Sequence, residues 1–167
     1  MKDTNRRQFL KHTTAAAAAV PFAVHAADSD VIKIGLIGCG GRGTGAASQA
    51  LQADKHIKLI AMGDMFEDRL EKSFNTLRKV PKVGGKVDVP RERQFVGWDA
   101  YEKVIASGVD CVLLTTPPQF RPAHLKAAIA AGKHVFAEKP VAVDAPGVRS
   151  VLETCKQARK KGLSVVS

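Results

Sequence analysis

The chain has 167 residues, 45% of them apolar and 25% charged, with a formal net charge of +10 and three cysteines. That balance fits a soluble globular chain of roughly one domain and excludes a disordered or collagen-like one. No apolar run reaches the roughly 20 residues that a spanning helix needs, no aromatic-interleaved basic stripe offers itself to nucleic acid, and Cys39, Cys111 and Cys155 are too unevenly spaced for a disulfide framework.

Residues 1–26 read as a twin-arginine signal peptide. Asn5-Arg6-Arg7-Gln8-Phe9-Leu10-Lys11 precedes an alanine-rich apolar run, and Val24-His25-Ala26 offers small or modest residues for cleavage. An alanine-rich N-terminal helix is the alternative. On the export reading the twin-arginine machinery is a partner, the protein folds before it crosses the membrane, and its destination is periplasmic or extracellular. No stable membrane anchor is expected.

From residue 31 to 167 the pattern alternates strand and helix. Residues 31–37 form an apolar, β-branched run that ends in glycines, and residues 43–51 begin a helix of small residues. A second strand covers 57–62 and ends at Gly63-Asp64; a helix over 67–79 carries Leu70, Phe74 and Leu77 at helical spacing. Residues 79–93 read as an exposed insertion, with Gly84-Gly85 and two prolines. After a short strand at 94–96, Asp99 and Glu102 resemble a capping box. A fourth strand over 109–114, a helix over 121–131 stopped by Gly132, a fifth strand over 134–137, a helix capped by Asp144, and a sixth strand over 163–166 complete the series. Strands this apolar need cover on both faces, which predicts an α/β fold: a doubly wound parallel sheet of Rossmann type in the order 3-2-1-4-5-6.

The candidate chemistry lies at the strand ends. Gly38, Gly40 and Gly43 follow a strand and open a helix, the context in which such glycines cradle a dinucleotide diphosphate on free amides. Gly41 adds freedom, and Arg42 offers a cation to a phosphate. A nucleotide-free glycine turn is the plainer reading. Asp64, at the end of the second strand, suits the adenine ribose hydroxyls and repels a 2′-phosphate, so NAD is expected over NADP. A solvated strand-end carboxylate is the alternative there. Thr116 and Pro117 shape the wall beyond the fourth strand, or merely turn the chain. Glu138 and Lys139 emerge from the fifth: the lysine is placed to polarise or protonate a substrate oxygen, and the glutamate to hold its ammonium. A surface ion pair is the bland alternative. No metal-ligand cluster is read.

These segments together resemble the Gfo/Idh/MocA family: Gly38-Cys39-Gly40-Gly41-Arg42-Gly43, Thr116-Pro117, His124, and above all the run from Ala131-Gly132-Lys133-His134 into Glu138-Lys139-Pro140. The resemblance implies that Lys139 is the catalytic lysine touching substrate and nicotinamide, positioned by Glu138 and Pro140, with His124 on the nicotinamide side; otherwise His124 is an ordinary helix residue. It also implies a C-terminal α+β domain carrying most of the substrate pocket, an acid/base partner and the oligomer interface. Against that pattern the chain, which stops at Ser167, is expected to lack this domain. The implied function is the NAD-binding domain of an exported oxidoreductase that moves hydride to or from a sugar or polyol CH–OH, homo-oligomeric when full length. The alternatives are an NAD-dependent glycosidase of the same family, a truncated non-catalytic nucleotide-binding module, and an inactive sugar-binding sensor.

Overall fold

Six parallel strands, in the order β3-β2-β1-β4-β5-β6, form the centre of residues 31–167, the part of the chain that the computed structural model describes. The segment read as a twin-arginine signal, with its expected cleavage site, lies outside the described residues. In chain order the elements are β1 (Ile32–Ile37), α1 (Gly41–Ala53), β2 (Ile57–Asp64), α2 (Glu67–Lys79), β3 (Gln94–Val96), α3 (Ala100–Ala106), β4 (Cys111–Leu114), α4 (Arg121–Ala130), β5 (His134–Ala137), α5 (Ala145–Lys160) and β6 (Val165–Val166). The doubly wound parallel sheet expected from the sequence is the fold that forms.

Alternation along the strands divides the core into two layers. Ile34 and Leu36 of β1 and Leu113 of β4 pack with Leu51 of α1 and with Leu70 and Leu77 of α2. Ile37, Val112 and Leu114 face the other way, against Val104 of α3, Leu125 and Ile129 of α4 and Val151 of α5. Each fully buried leucine contributes about 1.5–3 kcal/mol by leaving water. β2 breaks the alternation. Its register against β1 shifts between Ile34 and Gly35, where the partners jump from Leu59 to Ala61. Ile60 and Ala61 consequently share the α3–α5 side, while Leu59 and Met62 stay opposite. Gly35 is needed because a Cβ there would stand 2.6 Å from Val104 Cγ1.

Two local expectations are corrected. The segment between α2 and β3 is not a solvated insertion. Val83 and Val89 are buried in the α1–α2 layer, and the Asp88 amide donates to Leu59 O at 2.8 Å, so this segment closes the core beyond the short β3. Asp99 does not cap α3 with its side chain; it pairs instead with Lys103 at 2.8 Å. Asp144 does cap α5, its Oδ1 accepting the Gly147 N–H at 2.7 Å. No helix among the described residues is long and apolar enough to cross a membrane.

Candidate functional site

The carboxyl ends of β1, β2, β4 and β5 meet around one cavity of about 600 Å³. In a doubly wound sheet this is where strand order reverses and the loops part to leave a crevice.

The first wall is the β1–α1 turn. Gly38 has φ +96°, and a Cβ on it would lie 2.7 Å from the Thr116 backbone nitrogen. The Gly38 N–H donates to Gly63 O at 2.8 Å, and Thr115 Oγ1 donates to Gly38 O at 2.6 Å, so the turn is tied to both neighbouring strands. Gly43 lies behind the cavity, and a Cβ there would come within 1.9 Å of Gly38 O. Gly40 and Gly41 differ: nothing lies within 4 Å of a Cβ built on either. Among the described residues nothing accepts from the amides of Gly40, Gly41, Arg42 or Gly43, and the first turn of α1 holds no acid. Open amides at the positive end of a helix dipole fit an anion such as a dinucleotide diphosphate.

Asp64 is fixed from two sides. Its Oδ2 accepts the Cys39 N–H at 2.5 Å and its Oδ1 accepts the Phe66 N–H at 3.0 Å. The carboxylate thereby braces the glycine turn while still lining the cavity. The Cys39 thiol, donating to Gly63 O, is driven far above its ordinary pKa by burial and by Asp64, so it stays protonated and unreactive. Arg69 lies over the Phe66 ring, 5.2 Å from its centroid, at the outer lip.

Beyond β4, Thr116 and Pro117 line the cavity and Thr116 Oγ1 stands 3.3 Å from His124 Nδ1. The His124 ring stacks on Tyr101 with centroids 4.1 Å apart, and Phe120 leads on to Trp98 edge-on at 5.9 Å. Burial lowers the His124 pKa to about 4, so the imidazole is neutral at ordinary pH.

Beyond β5, Glu138 is buried and bonded to Arg42 of α1. That contact, first among its causes, holds the Glu138 pKa below the ordinary value. The expected Glu138–Lys139 pairing is not what forms: Lys139 is exposed on the cavity wall, and Arg42 takes the carboxylate. Arg121 is buried at the start of α4, with Nη1 donating to the Pro140 carbonyl.

The structure therefore brings Gly38, Gly40, Gly41, Arg42, Asp64, Thr116, Pro117, His124, Glu138 and Lys139 to one cavity, with Gly43 behind its wall. Sequence reasoning missed Trp98, Tyr101, Phe120 and Arg121. Trp98 and Tyr101 are the only tryptophan and tyrosine of the chain, three residues apart just after β3, a concentration that could have drawn notice. Arg121 puts a cation at a helix N-terminus, against the dipole.

A doubly wound parallel sheet with a bare glycine turn at its order reversal defines a dinucleotide-binding domain of Rossmann type. Residues 32–166 match the GFO_IDH_MocA family model, "Oxidoreductase family, NAD-binding Rossmann fold". The chain belongs to this family. It is 28% identical over 134 residues to an inositol 2-dehydrogenase of Klebsiella pneumoniae, covering 80% of this chain and 36% of that protein. It is 27% identical over 143 residues to a glycosyl hydrolase family 109 protein of Streptomyces coelicolor, covering 84% of this chain and 28% of that protein. Its fold is similar to that of scyllo-inositol dehydrogenase from Lactobacillus casei with bound NAD(H) and scyllo-inositol, at TM-score 0.61 and 24% identity, covering 81% of this chain and 35% of that one. The chain thus spans about a third of the length of the curated relatives it matches.

Proposed function

We propose that the chain is the NAD-binding part of an exported oxidoreductase that transfers hydride between a nicotinamide and a sugar or polyol CH–OH carbon. One observation carries the reading: open glycine-turn amides, a strand-end carboxylate and a lysine share one cavity. When bound, the dinucleotide supplies the hydride donor or acceptor. The amides of Gly40, Gly41 and Arg42, with the Arg42 guanidinium, hold its diphosphate, the close packing at Gly43 sets their position, and Asp64 takes the ribose hydroxyls and disfavours a 2′-phosphate. Lys139 donates to the substrate oxygen where negative charge grows, and neutral His124 and Thr116 shape the wall beside it.

Export is supported by the Arg6-Arg7 segment. An exported enzyme has no soluble pool to renew its cofactor, so the dinucleotide stays bound and each turnover is redox-neutral. Similarity to the glycosyl hydrolase family 109 protein favours a second reading, in which transient oxidation permits cleavage of a glycosidic bond before re-reduction.

Calorimetric titration of the 167-residue chain, unfolded and refolded to strip any nucleotide carried through purification, tests the core of the proposal. NAD should bind at least about tenfold more tightly than NADP, the worth of one charge-assisted bond. Equal affinities remove the preference, and no binding of either removes the reading. Fusing residues 1–26 to a folded reporter tests export: the intact segment should deliver it across the membrane, and R6K/R7K should strand it inside.

A further inference from the structure

Arg121 is a buried cation with donors to spare. It is 6% exposed, yet it lines the cavity. Its Nη1 donates to the carbonyl of Pro140, the residue after Lys139, while its fully shielded Nε meets no acceptor. Among the described residues no carboxylate forms an ion pair with it, and Glu138, which acts on it electrostatically, is held by Arg42. Its place at the first position of α4 adds a second penalty, because that helix start is itself positive and holds no acid in its first turn. The shielded Nε is out of a solute's reach, so an anion in the cavity would meet the guanidinium through its outer nitrogens, where a charge-assisted contact offsets the cost of the cation's burial.

We propose that Arg121 receives a carboxylate of the substrate, which makes the substrate class a sugar acid or other polyhydroxy carboxylate. The inference rests on the proposed reading of the cavity as a hydride-transfer site. Two anions could in principle meet this cation: the diphosphate of the dinucleotide or a carboxylate on the substrate. The diphosphate already has the open amides at the start of α1. Arg121 is fastened instead to the backbone just past Lys139, on the side where the substrate oxygen would lie. Its planar fork suits a two-oxygen partner, which a point-charge lysine does not match. Lys139 then addresses the hydroxyl that reacts, and Arg121 addresses the acid that orients the ring.

The test uses the protein at its full natural length, loaded with NAD and titrated with D-glucuronate, its methyl ester and D-glucose. Glucuronate should bind at least about tenfold more tightly than the ester or glucose, the loss expected when a charge-assisted pair is removed. Arg121→Gln should erase that difference while leaving NAD affinity unchanged, and Arg121→Lys should keep part of it; NAD titration of each variant shows that it is folded. The inference is overturned if acid and ester bind alike, if neither binds, or if Arg121→Gln keeps the preference. A fall in NAD affinity in Arg121→Gln also overturns it and assigns the cation to the diphosphate. Failure of the unsubstituted chain to bind NAD sinks the proposed function and this inference together, whereas NAD binding without discrimination sinks only the inference.

Discussion

Two glycines of the β1–α1 turn, two residues apart, should fail in opposite ways when given a methyl group. At Gly43 the new Cβ would stand 1.9 Å from Gly38 O and 2.6 Å from Thr115 Oγ1. Two of the three nearest atoms are backbone, so no rotamer relieves the clash and α1 must move off β1. That overpacking costs about 1–3 kcal/mol, and parting Thr115 Oγ1 from Gly38 O adds about 1 kcal/mol, roughly 2–4 kcal/mol together. With a urea dependence of about 2 kcal/mol per molar, the midpoint of Gly43→Ala should fall by about 1–2 M. At Gly41 nothing lies within 4 Å, and the backbone is not in the left-handed region. Gly41→Ala should cost no stability and gain up to about 1 kcal/mol from helix propensity. Its methyl nevertheless enters the space where the diphosphate would rest, which should weaken NAD binding by about 1–3 kcal/mol, or roughly 5- to 150-fold. Urea titration and calorimetry on the same two variants separate the effects. A stable Gly43→Ala, or a Gly41→Ala that binds NAD like the parent, refutes the division of labour assigned to these glycines.

The remaining predictions concern charge. Asp64→Ala removes the acceptor of the Cys39 and Phe66 amides; NAD affinity should drop about 10- to 100-fold and discrimination against NADP should vanish in calorimetry, at about 1.5–3 kcal/mol for a charged bond. His124 has its pKa lowered from 6.5 to about 4, so the unfolded chain takes up its proton first. Stability should fall as pH drops from about 6.5 to about 4 and level off below, by up to about 3 kcal/mol from this group; His124→Phe should flatten that limb in urea midpoints. Glu138 has its pKa lowered from 4.5, chiefly by the hydrogen bond from Arg42. Its stabilisation is present above that pH and lost as pH falls through the folded value, so Glu138→Gln should show a shallower acid limb than the parent.

The layers of this fold were legible because they follow from local pattern. Apolar β-branched runs ending in glycine, separated by helical stripes, leave a two-faced parallel sheet as the natural arrangement, and right-handed crossovers narrow it to the doubly wound orders, among which the glycine turn after the first strand favours the one found. The 79–93 segment misled because its charges and glycines read as solvated, while the burial of Val83 and Val89 depends on β3 being too short to cover the α1–α2 layer. The Asp99–Glu102 spacing carried a capping signature, but Lys103 one turn on competes for the same carboxylate and wins.

Glu138 and Lys139 show where reading along the chain stops. Adjacent residues at a strand end point to opposite faces, so a covalent neighbour is a poor partner: Glu138 turns inward and Lys139 outward. The carboxylate therefore needs a cation from another loop, and the loop facing β5 across the crevice is the glycine turn that carries Arg42. The carboxylate beside Lys139 is therefore held by a side chain 96 residues earlier, on the first helix of the sheet, and only the folding of the sheet brings the two strand ends together. That pairing is what no single segment of sequence identifies, and it is why Lys139 is left unpaired, among the described residues, on the cavity wall.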